Sequence, residues 1–185
     1  MKKTVNSDYA VVYMSKYGAS EKYAKLIAQN LQADLFNASE KFLDEALRLY
    51  KTIIWGGGIY AGKINGINIL CKQIDKIKDK RIFVFSVGNT PTERHDILEK
   101  VRNNSIGHKQ HPRIMFFHLV ARANFSCLTL GDRFMFACRR LSIIIKPAKF
   151  RTDGEHLFLS EYGKDSQRID ENAVVDIIKH IKENE

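Results

Sequence analysis

The residues best equipped for chemistry in this chain are hydroxyls gathered around a glycine. Ser15, Tyr17 and Ser20 bracket Gly18, with Lys16 and Ala19 between them. Hydroxyl donors and close backbone N–H groups suit an anion. The spacing is not the Walker pattern, which needs a Lys-Ser/Thr pair after its last glycine, and it is not Gly-x-Gly-x-x-Gly. Two further clusters have a similar character: Gly56-Gly57-Gly58-Ile59-Tyr60-Ala61-Gly62 and Val87-Gly88-Asn89-Thr90-Pro91. Three consecutive glycines are costly in chain entropy unless the backbone must approach something closely. A flat ligand is one reason for them, with Ile59 and Tyr60 as its apolar and aromatic surface; a flexible turn is the alternative. No acid–base dyad and no nucleophile–histidine pair stands out. Cys71, Cys127 and Cys138 are odd in number and never in Cys-x-x-Cys spacing, which argues against a disulfide framework or a zinc site. They read as small apolar residues of a helix or core. His108 and His111 stand three apart in a basic stretch that reads as a solvated loop, so no metal site is expected.

The elements that must position these clusters are legible from periodicity. Tyr9 to Met14 is an apolar run with the look of a buried strand. Ala24, Ile27, Ala28 and Leu31 recur at helical spacing, so a helix begins near Ser20 or Glu21. A helix start leaves N–H groups unpaired and carries the positive end of the dipole, which is why the Ser15–Ser20 loop suits an anion. The plainer alternative is a strand–helix turn with Ser20 as its N-cap. A short strand is expected over Ala33–Phe36, a short helix or turn over Phe42–Tyr50, and a strand over Thr52–Trp55 that stops at the glycines. A helix follows over Asn65–Lys78, then the clearest strand, Arg81–Ser86. A helix over Thr92–Arg102 and a basic, turn-rich connection lead to a strand over Arg113–Leu119. Strands alternating with helices argue an α/β fold with a parallel sheet covered on both faces. Ligands of such sheets sit outside the strands' carboxyl ends. All three suspicious clusters lie there.

With 185 residues, 44% hydrophobic and 28% charged, the chain is expected to form a single globular domain over 1–185. No apolar run is long enough to cross a bilayer. Met1-Lys2-Lys3 begins like a secretory leader, but Asn6, Ser7 and Asp8 interrupt it, so the cytoplasm is the expected compartment. The net charge of +9 points to nucleic acid, an anionic membrane surface, or an anionic ligand or partner. No nucleic-acid-binding motif accompanies it, so no nucleic acid partner is expected.

Three stretches together carry a specific resemblance. Val12-Tyr13-x-Ser15-Lys16-Tyr17-Gly18-Ala19-Ser20-Glu21, Ile54-Trp55-Gly56-Gly57-Gly58-Ile59-Tyr60-Ala61-Gly62-Lys63 and Phe85-Ser86-Val87-Gly88 resemble the flavodoxin-domain family. Within it they resemble the branch that includes the bacterial flavodoxin-like, menaquinone-dependent protoporphyrinogen oxidase. The resemblance implies a flavodoxin-like three-layer sandwich with a five-stranded parallel sheet in the order 2-1-3-4-5, an insert after the fifth strand, and FMN as cofactor. Carried over residue by residue, Ser15, Lys16, Tyr17, Gly18, Ala19 and Ser20 would hold the FMN phosphate. Gly58, Ile59, Tyr60, Ala61 and Gly62 would line one side of the isoalloxazine, with Tyr60 the aromatic wall. Val87, Gly88, Asn89 and Thr90 would line the other side and meet the ring edge.

The insert spans about 120–168. It keeps the branch's framework as Asn124-Phe125-x-x-Leu128-x-x-x-Asp132-Arg133, but Arg122 and Ala123 stand where the branch has small residues and Phe125 where it has tyrosine. From Arg133 to Thr152 there are six basic residues and no acidic one, interleaved with Phe134, Phe136, Leu141, Ile143, Ile144 and Ile145. Such a segment suits a membrane surface, an acidic partner or an anionic substrate; the alternative is a helix packed on the domain with a solvated basic face. Residues 133–151 are therefore the expected route to a quinone or to the inner face of a membrane. Pro147 ends any helix there. Glu155–Lys164 reads as a polar connection and Ile169–Ile181 as the last helix. Three functions remain open: an FMN-dependent oxidoreductase passing electrons between a small organic substrate, such as a porphyrinogen, and a quinone-like acceptor; a flavodoxin-type electron carrier working with a redox partner; and a non-redox module that binds a partner or membrane.

Overall fold

The computed structural model describes residues 8–41, 43–107, 114–121, 125–164 and 169–184. In chain order the elements are β1 (Tyr9–Met14), α1 (Ala19–Leu31), β2 (Asp34–Asn37), α2 (Leu43–Leu47), β3 (Thr52–Tyr60), β4 (Lys63–Ile64), α3 (Ile67–Gln73), β5 (Arg81–Gly88), α4 (His95–Ser105), β6 (Ile114–Val120), α5 (Leu130–Ile144), α6 (Asp153–Glu161) and α7 (Glu171–Glu183). The parallel strands lie in the order β2-β1-β3-β5-β6, and the two-residue β4 pairs antiparallel with β3. Counting parallel strands alone, this is the expected order 2-1-3-4-5.

Alternation along each strand builds two cores. Ala10, Val12, Ile53, Trp55, Ile82 and Val84 point to the face covered by α2, α3 and α4. Val11, Ile54, Phe83 and Phe85 point to the face covered by α1 and α7. The last helix presents Val174, Ile177, Ile178 and Ile181 to that second face, as its spacing predicts. Asp170 caps it, accepting from the N–H groups of Asn172 and Ala173 at 3.0 and 3.3 Å.

The glycines correct one expectation. Gly56, Gly57 and Gly58 do not end the strand; β3 runs through them in register with Phe85, Ser86 and Val87. A Cβ on Gly56 would fall 1.9 Å from the Phe85 ring, and one on Gly57 would fall 2.4 Å from the Asn65 carbonyl oxygen. Those two are glycine because the sheet's own packing fills the space. The helix expected over 65–78 is also shorter: α3 ends at Gln73 and tightens into a 3-10 turn over Ile74–Ile77.

The insert leaves and returns at one point. The Tyr23 hydroxyl of α1 donates to the Val120 carbonyl at 2.6 Å and accepts from the Asp170 N–H at 2.9 Å. Ala121 and Ile169 form an antiparallel bridge beside it. Between them, Glu155–Lys164 is not a polar connection: α6 occupies most of it. Thr152 and Glu155 form a reciprocal capping box, Glu155 N–H donating to Thr152 Oγ1 at 3.3 Å and Thr152 N–H to Glu155 Oε2 at 2.9 Å. The end of α5 is capped by a side chain from beyond Pro147. Arg151 donates from Nε to the Ile143 and Lys146 carbonyls at 3.0 Å each and from Nη2 to Ile144 at 2.9 Å.

Candidate functional site

The first wall of the site is the β1–α1 loop. Ser15 Oγ accepts from the Gly18 N–H at 2.9 Å, which folds the loop back on itself. Gly18 takes φ 86° as the N-cap of α1, a left-handed conformation that costs glycine nothing. No side chain caps this helix start, and Ser20 is buried in its first turn. The second wall is the carboxyl end of β3, Gly58 to Tyr60, which turns at Ala61 (φ 48°) and Gly62 (φ 74°) into β4. The third is the carboxyl end of β5 and the turn that follows it, Val87 to Thr90.

A cavity of about 540 Å³ lies between these walls. Ser15, Lys16, Tyr17, Ala19, Ser20, Gly58, Ile59, Tyr60, Val87, Gly88, Asn89 and Thr90 line it. Gly18, Ala61 and Gly62 do not: they bend the chain so that their neighbours reach the cavity. Gly58 differs from Gly56 and Gly57. A Cβ there would point between Ser20 Oγ, at 3.5 Å, and the Val87 carbonyl, at 3.9 Å, so the absent side chain leaves an open cradle where the three loops meet.

The insert supplies a fourth wall, chiefly Phe125, Leu128, Asp132, Phe136, Phe158 and Tyr162. Its rings interlock: Phe125 meets Tyr162 edge-on at 4.7 Å and Phe136 at 5.3 Å, and Phe136 stacks on Phe158 at 5.9 Å. Asp132 ties this wall to the first two. Its Oδ2 contacts Lys16 Nζ at 2.6 Å and accepts from Thr129 Oγ1 at 3.0 Å; its Oδ1 accepts from Tyr60 Oη at 2.9 Å. Asp132 is buried, whereas Lys16 keeps 41% side-chain exposure. The carboxylate raises the Lys16 ammonium above its ordinary value, chiefly through that hydrogen bond. Lys16 Nζ also sits 4.5 Å from the Tyr60 ring centroid. The first two walls and the start of α5 are thus clamped through one carboxylate.

His118 on β6 fixes the third wall. Its Nε2 lies 2.9 Å from the Thr90 carbonyl and its Nδ1 2.8 Å from Ser86 Oγ. A carbonyl can only accept, so Nε2 carries a proton, and in the neutral ring Nδ1 accepts from the serine hydroxyl. Burial pushes the His118 pKa below its ordinary value, against the opposing pull of the Thr90 carbonyl.

Sequence reasoning did not single out His118 or the ring cluster, and it met Asp132 only as part of a family pattern. Thr129-x-x-Asp132 ahead of an apolar run was a readable helix start, and Asp132 N–H does donate to Thr129 Oγ1 at 3.3 Å. Nothing in sequence spacing ties His118 to Ser86 and Thr90, because register across β5 and β6 makes that contact. Cys127 and Cys138 are exposed rather than buried in a core. His108 and His111 lie outside the described residues. Among the described residues, no cluster of His, Cys, Asp and Glu is arranged to hold a metal ion.

Residues 10–138 match the family model described as a flavodoxin domain. An uncharacterized protein of Methanocaldococcus jannaschii is 38% identical over 74 residues, 39% of this chain and 47% of the relative. The chain therefore spans about half the length of that curated relative. Among solved structures, the Trp repressor binding protein of Bacillus subtilis is similar at 15% identity and a TM-score of 0.46, over 63% of this chain and 84% of that one. The flavodiiron core from Synechocystis sp. is similar at 16% identity and a TM-score of 0.46, over 98% of this chain and 38% of that one. The span matched by the family model runs across the parallel strands and the three loops at their carboxyl ends, and on that span the chain belongs to the flavodoxin-domain family.

Proposed function

We propose that the chain binds FMN in the cavity between β1, β3 and β5 and acts as an oxidoreductase. The observation that carries this reading is the convergence of three carboxyl-end loops on one cavity, with an uncapped helix start at one end and the Gly58 cradle beside it. The donor set suits a phosphate: the Ser15 and Ser20 hydroxyls and the first N–H groups of α1. The volume of about 540 Å³ suits a cofactor-sized ligand. When bound, FMN would supply redox chemistry between a small organic substrate and an acceptor such as a quinone. The chain's own residues bind and orient. Tyr60 forms an aromatic wall held by Asp132, and Asn89, just past the end of β5, lines the same cavity, where its backbone could meet a developing negative charge.

The insert favours an enzyme over a simple electron carrier, because it roofs the cavity where a carrier keeps its ligand's edge open to partners. The roof is apolar and aromatic; Arg94, Arg139 and Lys164 line the same cavity, as do Glu155 and Glu161, with Arg94 held by Asp96 and Glu155 by Lys146. The aromatic roof with Arg139 and Lys164 beside it is compatible with a planar substrate bearing carboxylates, of which a porphyrinogen is one example. The test is an absorbance spectrum of the purified protein before and after FMN is supplied. Shifted flavin bands are expected; a protein that stays colourless sinks the reading. Oxidation of the reduced protein by a quinone, compared with transfer to a redox protein, then separates enzyme from carrier.

A further inference from the structure

One face of α5 is unusual for a water-exposed helix. Seven of the eleven large hydrophobic side chains exposed among the described residues fall between Leu130 and Phe150, so they form a patch rather than scattered singles. Leu130, Phe134, Leu141 and Ile145 stand at i, i+4, i+11 and i+15. At about 100° per residue that places them within a sector of roughly 60°. Leu130 is 84% exposed and Ile145 81%. The opposite side of the same helix carries Asp132, Phe136 and Ile143, which face the cavity and the insert's interior. The usual polarity is inverted, because this helix has apolar contacts to make on both sides.

The rim of the stripe is basic. Arg133 and Arg140 lie along one edge of α5, both exposed, and Lys149 follows beside the exposed Phe150. Both arginines are held in place, Arg133 by the Ser126 carbonyl at 3.2 Å and Arg140 over the Tyr162 ring at 4.9 Å. No acidic residue occurs from Arg133 to Thr152. Lys146 pairs with Glu155 on α6, away from the stripe. An apolar stripe with cationic edges complements a surface that is anionic outside and apolar just beneath. A second copy of the chain fits poorly, since pairing two such faces brings like-charged rims together on molecules that each carry +9. A stripe of this kind suits a helix lying in an interface plane; among the described residues no helix is long and apolar enough to cross a membrane.

We propose that the outer face of α5, continued to Phe150, docks on a bilayer of anionic lipids, with Leu130, Phe134, Leu141 and Ile145 in the acyl boundary and Arg133, Arg140 and Lys149 at headgroup level. The inner face of the same helix lines the cavity, so docking brings the cavity within about one helix diameter of the lipid. The inference does not rest on the flavin reading: a colourless protein would dock in the same way.

The test uses the full chain and vesicle flotation, comparing phosphatidylcholine with phosphatidylcholine–phosphatidylglycerol mixtures. The protein is expected to float with the anionic vesicles. Phe134→Ser with Leu141→Ser removes apolar area without changing charge and is expected to lower the partition about tenfold or more. Trp55 is fully buried, so a Phe134→Trp variant reports on the stripe, and its emission is expected to shift to the blue on anionic vesicles only. Protein that stays behind with both vesicle types overturns the proposal. So does binding that the double serine variant leaves unchanged, which is bulk attraction of a cationic chain. A dimer that the double serine variant dissolves, with no flotation, overturns it in favour of a second copy. Equal melting temperatures of parent and variants show that the fold is intact in each case.

Discussion

Gly56 and Gly58 are two residues apart in one strand and answer to different forces. A methyl on Gly56 meets the Phe85 ring at 1.9 Å in a core where Phe85 has nowhere to go. Gly56→Ala is expected to cost about 1–3 kcal/mol, read as a lower urea midpoint with the slope unchanged. Gly58→Ala places its methyl in ordinary contact, 3.5 Å from Ser20 Oγ, so its urea midpoint is expected near the parent's while its affinity for FMN falls. Equal destabilisation by both would mean that Gly58, too, serves only packing. His118 makes a second residue-level prediction. Its folded pKa is depressed, so the folded state favours the neutral ring. The stability this gives is fully present above the ordinary imidazole value of about 6.5. It drains away as pH falls from there to the lower folded value, where the folded ring also protonates. Melting temperature followed from pH 7.5 to 5 is expected to fall, and His118→Gln is expected to flatten that fall. A slope unchanged in the variant would assign it to other groups. At this scale the sequence was readable where structure is local: hydroxyls beside a glycine mark the loop where β1 ends and α1 begins. It was not readable where a role depends on the neighbouring strand. Gly56 and Gly58 look alike in sequence, and only the opposing Phe85 and Ser20 separate them.

Helices α5 and α6 owe their ends to capping rather than to amphipathic strength. The α6 segment, Asp-Gly-Glu-His-Leu-Phe-Leu-Ser-Glu, has a weak apolar period and a glycine at its second position, which is why it reads as a polar connection. What starts it is the Thr152–Glu155 box. Thr152→Ala is expected to cost about 1 kcal/mol. The loss should appear locally, as faster amide exchange across 153–161 with little change in the exchange of β1, β3 and β5; faster exchange throughout would mean that α6 is part of the global fold. Tertiary pairing explains two further shifts of boundary. The β3 strand passes its glycines because β1 and β5 hydrogen-bond both edges there. The segment over 65–78 tightens at Ile74 because Ile74 and Ile77 must both bury on the sheet at the end of a short helix. Periodicity finds where apolar residues fall, and tertiary pairing decides where the element stops.

Across the whole molecule, alternation of strands and helices was enough to foresee the sheet, since the central strands β1, β3 and β5 are buried on both faces and helices cover each face. The insert was foreseen as a place and a charge, but not as the roof of the cavity. That role depends on Asp132 reaching Lys16 and Tyr60, both more than seventy positions away in the chain. The cavity is thus bounded by segments far apart in the chain, the Ser15–Ser20 loop and the insert. A ligand filling it should therefore stabilise the molecule globally. At a free concentration one hundred times its dissociation constant, FMN is expected to add about 2.7 kcal/mol, and the melting temperature should rise by roughly 5–10 °C. Riboflavin, which lacks the phosphate, forgoes the α1 start and is expected to give a clearly smaller rise at equal concentration. Ser15→Ala with Ser20→Ala should shrink the FMN rise toward the riboflavin value while leaving riboflavin's own effect in place. Equal rises for FMN and riboflavin in the parent would show that the Ser15–Ser20 loop does not receive the phosphate, and would place the ligand's weight on Tyr60 and the aromatic roof instead.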